Sequence, residues 1–191
     1  MERENPSPQP EHANEWSIRA ETYDWLEAVV FSIAVVVMIF TFFFRIVGVQ
    51  GPSMENTLQN GDRVIISILG YHPKAGDIVV LNTPAVPTSP IIKRIIAVGG
   101  QRVNINYQTG AVYVDGKLRQ EKYIRETTTF EGEDPVPMPV KVPKGFVFVM
   151  GDNRNNSFDS RSSAIGNVDM RNIMGHAVLR IFPTRSAGVL K

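Results

Sequence analysis

The hydrophobic pattern divides the chain in two. Ala28 to Phe44 (AVVFSIAVVVMIFTFFF) carries no charge, and Ser32 and Thr41 are its only polar members. The run is apolar on every face and lacks the stripe of a helix packed on one side. Extended from Trp25 to Val49 it covers about 25 residues, against the roughly 20 needed to cross a hydrocarbon core. Glu27 and Arg45 then fall near the two interfaces. The pattern predicts a transmembrane anchor over 25–49. A cleaved secretory signal fits less well, because the run is long, its flank is acidic and no small-x-small site follows. Residues 1–14 are polar with three prolines, which predicts a flexible tail. Glu15 to Glu27, with Trp16, Tyr23 and Trp25, suits a helix at the membrane interface.

After Gln50 the texture changes to short apolar or alternating runs between turn signals. They are Arg63–Ile68, Asp77–Leu81, Ile91–Val98, Val103–Tyr107, Ala111–Val114, Gly145–Met150 and Ala177–Phe182. Asn60-Gly61, Gly99-Gly100, Thr109-Gly110 and Asp115-Gly116 punctuate them. This spacing predicts a mainly β fold, a sheet or barrel over 50–191. No convincing amphipathic helix follows residue 50. Residues 126–144, rich in Thr, Glu and Pro, predict a loop or extended edge.

Charge and composition narrow the function. Twenty Lys and Arg against 19 Asp and Glu leave a net charge of +1, without the basic excess expected of a nucleic-acid binder. The absence of Cys excludes a disulfide framework, a thiol nucleophile and thiolate metal sites. His12, His72 and His176 have no partner at metal-ligand spacing, so neither a metal site nor a Ser-His-Asp triad is expected, and no cofactor is implied.

The remaining nucleophiles are hydroxyls. Ser53 lies in Gly51-Pro52-Ser53-Met54, just beyond the apolar run. Gly and Pro permit a tight backbone there whose following N–H groups can face outward as an oxyanion hole. A Ser in a Gly-Pro turn is equally an ordinary loop feature. A lysine can serve as the base if burial lowers its pKa toward neutrality. Lys93 sits in Ile91-Ile92-Lys93-Arg94-Ile95-Ile96, where strand alternation gives it the face of Ile91 and Ile95 and gives Arg94 the face of Ile92 and Ile96. The alternative is an edge-strand lysine that deters aggregation. A third polar segment, Gly151-Asp152-Asn153-Arg154-Asn155-Asn156-Ser157-Phe158-Asp159-Ser160-Arg161, directly follows a strand and can brace a loop.

Taken together, these segments resemble the bacterial type I signal peptidases, Ser/Lys endopeptidases that remove signal peptides. The resemblance runs over about residues 25–182. It rests on an N-terminal span, GPSMENTLQNGDRVII, GDIVV, IIKRIIAVGG and GDNRNNSFDSR in that order. It implies Ser53 as nucleophile, Lys93 as base, Ser157 orienting the lysine, and Asp159 with Arg161 as a supporting ion pair. It also implies an oxyanion donor in the Ser53 N–H and cleavage after small-x-small sites. By position, the substrate pockets are Val47, Val49, Met54, Leu58, Ile91 and Ile92. Residues 1–24 would be cytoplasmic, with the β region beyond the cytoplasmic membrane and a small accessory β insertion at about 103–145. The implied partners are preprotein signal peptides, the lipid bilayer and the secretion translocon. Three positions depart from the family pattern: Gly51, where some members carry a serine oxyanion donor, Asn56 in place of Pro, and Asn155 in place of Asp. The last two are expected to matter little.

Two rivals remain at this level. A self-cleaving Ser/Lys repressor-type protease has related chemistry but is soluble, which the charge-free span opposes. A membrane-tethered β module without catalysis is opposed by the joint presence of Ser53, Lys93 and Ser157.

Overall fold

The computed structural model describes residues 11–190 apart from Leu69, with side chains from Glu21 onward. Of the flexible tail expected over 1–14, residues 1–10 lie outside the described residues, as do the side chains of His12 and Trp16, while residues 11–14 are helical rather than tail. One helix, α1, runs without interruption from Glu11 to Phe43 and takes in the segment expected at the interface. Within Glu21–Phe43 an 18-residue window has a mean hydropathy of 2.5, and at 1.5 Å per residue the 23 residues are about 34 Å long, enough to cross a bilayer. The two polar side chains of the charge-free run turn back on the helix, Ser32 Oγ donating to Ala28 O and Thr41 Oγ1 to Val37 O, each at 2.7 Å. Such self-satisfaction lets hydroxyls sit where no water is available.

The helix stops at Phe43, short of the expected Val49, because the next residues pair in a sheet. Phe44–Gly48 form β1, whose Ile46 and Val47 stand opposite Ile65 and Val64. Cross-strand pairing of β-branched residues outweighs continuation of the helix. The helix and the β region are two compact units, divided after Phe42.

The β region contains, in order, β2 (Arg63–Ser67), β3 (Ile78–Thr83), β4 (Val86–Val98), β5 (Arg102–Asn106), β6 (Ala111–Val114) and β7 (Lys117–Leu118). Then follow β8 (Val140–Lys141), β9 (Phe146–Met150), β10 (Val168–Asp169), β11 (Ile173–Phe182) and β12 (Gly188–Val189). A large antiparallel sheet has the order β1-β2-β11-β3-β4-β9-β10, with β12 added to β11. A smaller sheet, β7-β6-β5-β8, is built from residues 102–141. The fold is mainly β, with only short 3₁₀ turns after the helix among the described residues.

Two features position the site. First, the large sheet curls. Val49 and Val47, at one edge, share a core cluster with Met54, Leu58 and Ile92, although three strands separate β1 from β4 in the sheet order. Second, β9 pairs with β4 only from Arg94 to Val98 and leaves the sheet after Met150. Val86–Lys93 of β4 therefore have β3 on one side and no strand of the sheet on the other.

Candidate active site

Lys93 sits at the point where β9 peels away from β4. The turn that carries Ser53 fills the space. Pro52 to Leu58 form a tight turn, with Glu55 N–H donating to Pro52 O at 3.0 Å and Leu58 N–H to Met54 O at 2.8 Å. Met54 and Leu58 anchor this turn in the core. The loop after β9 grips it from behind. Asn153 N–H donates to Ser53 O at 3.0 Å, and Asn153 Nδ2 donates to Pro52 O at 3.1 Å.

The turn brings Ser53 Oγ to 2.7 Å from Lys93 Nζ. Lys93 is 3% exposed and Ser53 is half-buried. Burial drives the Lys93 pKa down from 10.5 to about 8; the negative charge of Asp159 opposes this, Arg161 reinforces it and Asp152 opposes it. Desolvation penalises the ammonium form, and the charges in the shell largely offset one another.

Those charges are held in buried ion pairs. Arg161 Nε and Nη2 donate to the two Asp159 oxygens, each at 2.8 Å. Ser157 Oγ donates to Asp159 Oδ2 at 2.7 Å, and Gly151 N–H donates to the same oxygen at 3.0 Å. Burial alone would raise the Asp159 pKa, but Arg161, Ser157 and the Gly151 N–H outweigh it and hold the carboxyl below its ordinary range. Ser157 thus reaches Asp159. Among the described hydrogen bonds, none joins Ser157 to Lys93. Arg94 forms the second pair, its Nε and Nη2 donating to Asp152 at 2.9 and 2.7 Å. Thr57 Oγ1 donates to Asp152 Oδ2 at 2.5 Å, tying the Ser53 turn to this pair. Breaking such a buried pair would leave an uncompensated charge, so each fixes the geometry around it.

The candidate pocket residues divide. Val47, Val49, Met54, Leu58 and Ile92 meet in one cluster, whereas Ile91 packs against a different one with Val79, Leu81 and Ile95. Strand alternation separates neighbours in this way. A cleft of about 300 Å³ opens over the first cluster, between Ile46, Val47 and Gly48 on one side and Ser89, Pro90 and Ile92 on the other. His72 and His176 make other contacts. His176 stacks on Tyr71 at 4.9 Å, and His72 Nδ1 lies 3.0 Å from Gly70 O.

A family model described as "Signal peptidase, peptidase S26" matches residues 22–182. The chain belongs to this family. A probable signal peptidase I-1 of Synechocystis sp. is 41% identical over 74% of this chain and 73% of its own length. Signal peptidase I P of Bacillus subtilis subsp. natto is 34% identical over 86% and 91%. Signal peptidase IB of Staphylococcus aureus (strain Mu50 / ATCC 700699) is 30% identical over 87% and 92%. A crystal structure of a signal peptidase I from Enterococcus faecalis V583 has a TM-score of 0.47, with 27% identity over 58% of this chain and 98% of that one. Membership of the signal peptidase family makes the chain a serine protease of the kind that acts on preprotein signal peptides, and its apolar helix makes it a membrane protein.

Several residues around the candidate site of this signal peptidase family member had no local signal in the sequence. Arg94, given no role at the site by the sequence pattern, is 1% exposed. The segment 121–130 lies over the Ser53 turn and the loop after β9, held by distant side chains. Arg154 pairs with Glu121 at 2.6 and 2.7 Å, Arg94 lies 4.0 Å over the Tyr123 ring, and Arg125 pairs with Glu55. Asn56 and Asn155, expected to matter little, both hold this segment. Asn56 Nδ2 donates to Tyr123 O at 3.0 Å and to Ile124 O at 3.3 Å. Asn155 binds the backbone of Thr127, Thr129 and Phe130, each at 3.0 Å.

Asn56 also adopts φ 88°, a left-handed conformation that proline cannot reach. Asn56→Pro should therefore destabilise the β region by more than about 1 kcal/mol. Asn56→Gly, which keeps the conformation and loses the side-chain hydrogen bonds, should cost less. Paired urea melts would check this, and an Asn56→Pro midpoint at or above wild type would contradict it.

Proposed function

We propose that the chain is a membrane-anchored endopeptidase in which Ser53 attacks the scissile bond of exported preproteins and Lys93 is its general base. The observation that carries this reading is the 2.7 Å separation between the Ser53 hydroxyl and a buried amine whose pKa is about 8. About a tenth of such an amine is neutral at pH 7. The neutral form can accept the Ser53 proton as the hydroxyl attacks the carbonyl, then return it to the leaving amine. Asp159 and Arg161 hold the surroundings of the amine, and Ser157 acts through Asp159. Among the described residues the Ser53 N–H has no hydrogen-bond acceptor, which leaves it available as the oxyanion donor. Gly51 cannot fill that role from its backbone, because its N–H donates to Asn60 Oδ1 at 3.0 Å.

The substrate in this reading is an extended signal-peptide segment. It occupies the cleft between β1 and the unpaired side of β4, adding a strand to exposed edges. Its −1 and −3 side chains face the cluster beneath. Val49, Met54 and Leu58 already fill that cluster at 3%, 1% and 0% exposure, so only small side chains such as Ala fit. The helix anchors the enzyme in the cytoplasmic membrane, with the β region on the side where preproteins emerge from the translocon.

The pH profile tests the base. Lys93 must be neutral to act, and its pKa is lowered, so kcat/KM should climb tenfold per pH unit below about 8 and level off above it. Single-turnover cleavage of a preprotein by detergent-solubilised enzyme would show this. A rate constant across about pH 6–10 would rule out Lys93 as the base.

A further inference from the structure

A second cavity, of about 400 Å³, opens beside Ser157, lined by Phe130, Glu133, Asn155, Phe158 and Arg161 among others. The loop after β9 builds one wall and the 121–133 segment the other. Phe130 is fixed from both directions, its N–H donating to Asn155 Oδ1 at 3.0 Å and its carbonyl accepting from Arg161 Nη1 at 2.8 Å. Phe130 and Phe158 are 45% and 41% exposed, so two rings stand half in water at the cavity. Arg161 supplies no free cation, since it is directed at Asp159 and at the carbonyls of Phe130, Arg154 and Ser157. What remains is an aromatic cavity with a neutralised floor and one exposed carboxylate, Glu133. Its chemistry suits an apolar side chain and disfavours an acidic one.

Through Ser157 the cavity borders the backbone of the turn that carries the reacting hydroxyl. Ser157 Oγ and the carbonyl oxygen of Ser53 both press on the same point above Gly151 Cα. The cleft for the signal peptide approaches from elsewhere, through Ile92 next to Lys93. A peptide that puts −1 and −3 into the cleft presents its +2 side chain on the same face, two residues or about 6.6 Å beyond −1.

We propose that this cavity binds the side chain of the second residue of the mature chain, +2, and favours large apolar groups there. The proposal rests on the signal-peptidase reading of the dyad. It can be tested with full-length enzyme in detergent and a preprotein series that carries Ala, Phe or Glu at +2 and is otherwise identical. In wild type, kcat/KM should favour Phe over Glu by about tenfold, the low end for a hydrophobic pocket because this one is open. Phe158→Ala should compress the ratio to about twofold or less, and Phe158→Lys should turn the preference toward Glu. Because each result is a ratio between substrates on one enzyme, a general loss of activity in a variant does not affect it. A wild type that cleaves the series at one rate sinks the +2 site alone, as does an unchanged ratio in both variants. A wild type that cleaves no member of the series sinks the dyad reading and the +2 site together.

Discussion

Ser53→Ala and Lys93→Met should each lower kcat/KM for preprotein cleavage by about 10⁴-fold or more, with the fold retained. The magnitude follows from their dependence on one another. A hydroxyl without a base is a weak nucleophile, and a base without the hydroxyl has nothing to deprotonate, so loss of either removes the unit. Met is the informative replacement at position 93 because it approximates the length of Lys and fills the same buried volume without a titratable group. The double variant should be no worse than either single one, since units of this kind are strongly non-additive. Lys93→Arg should also be inactive, because guanidinium stays protonated at every accessible pH. The expected kinetic signature is a fall in kcat with KM little changed, because neither side chain is assigned to holding the signal peptide. Full cleavage by Lys93→Met would refute the dyad, and full cleavage by Ser53→Ala would move the nucleophile elsewhere.

The sequence announced some of this and concealed the rest, for physical reasons. Strands such as Ala111–Val114 were legible because alternation and flanking turn residues are local signals. The extent of β4 was not. Its first half, from Val86, contains Pro87 and Pro90, which argue against a strand. Proline is tolerated there because that side of β4 has no partner strand, the property the proposed substrate cleft requires. The end of the apolar helix was also concealed, because Phe44–Gly48 are as apolar as the span they follow and only pairing with β2 distinguishes them. At Lys93 and Arg94 alternation could not say that both cations are buried, at 3% and 1% exposure. The 121–130 segment left no trace of its role, since what holds it are single side chains from Asn56, Arg94, Arg154 and Asn155, tens of residues away. Asn56 and Asn155 looked like neutral departures from a family pattern because a pattern of residue types does not show what a side chain holds.

Gly151→Ala should cost about 10²-fold in kcat/KM, through position alone. The residue touches no substrate in the proposed reaction. It lies where the loop after β9 crosses the Ser53 turn, and a Cβ there would fall 2.7 Å from Ser157 Cβ and inside the contact distance of both Ser157 Oγ and the Ser53 carbonyl oxygen. Neither neighbour can retreat freely. Ser157 is tied to Asp159, which is tied to Arg161, and the Ser53 carbonyl accepts from Asn153 N–H at 3.0 Å. The strain must therefore move Ser53 relative to Lys93, and a displacement near 1 Å in a reacting pair costs about 10²-fold. Overpacking should also remove about 1–3 kcal/mol of stability. Gly99→Ala separates the two effects, because its Cβ would meet Pro143 O at 2.8 Å and Lys144 Cα at 2.9 Å, with no dyad atom among its nearest neighbours. Both variants should melt earlier than wild type, but only Gly151→Ala should lose kcat. Equal activity in the two, at matched loss of stability, would show that the crossing at Gly151 does not set the distance between hydroxyl and amine.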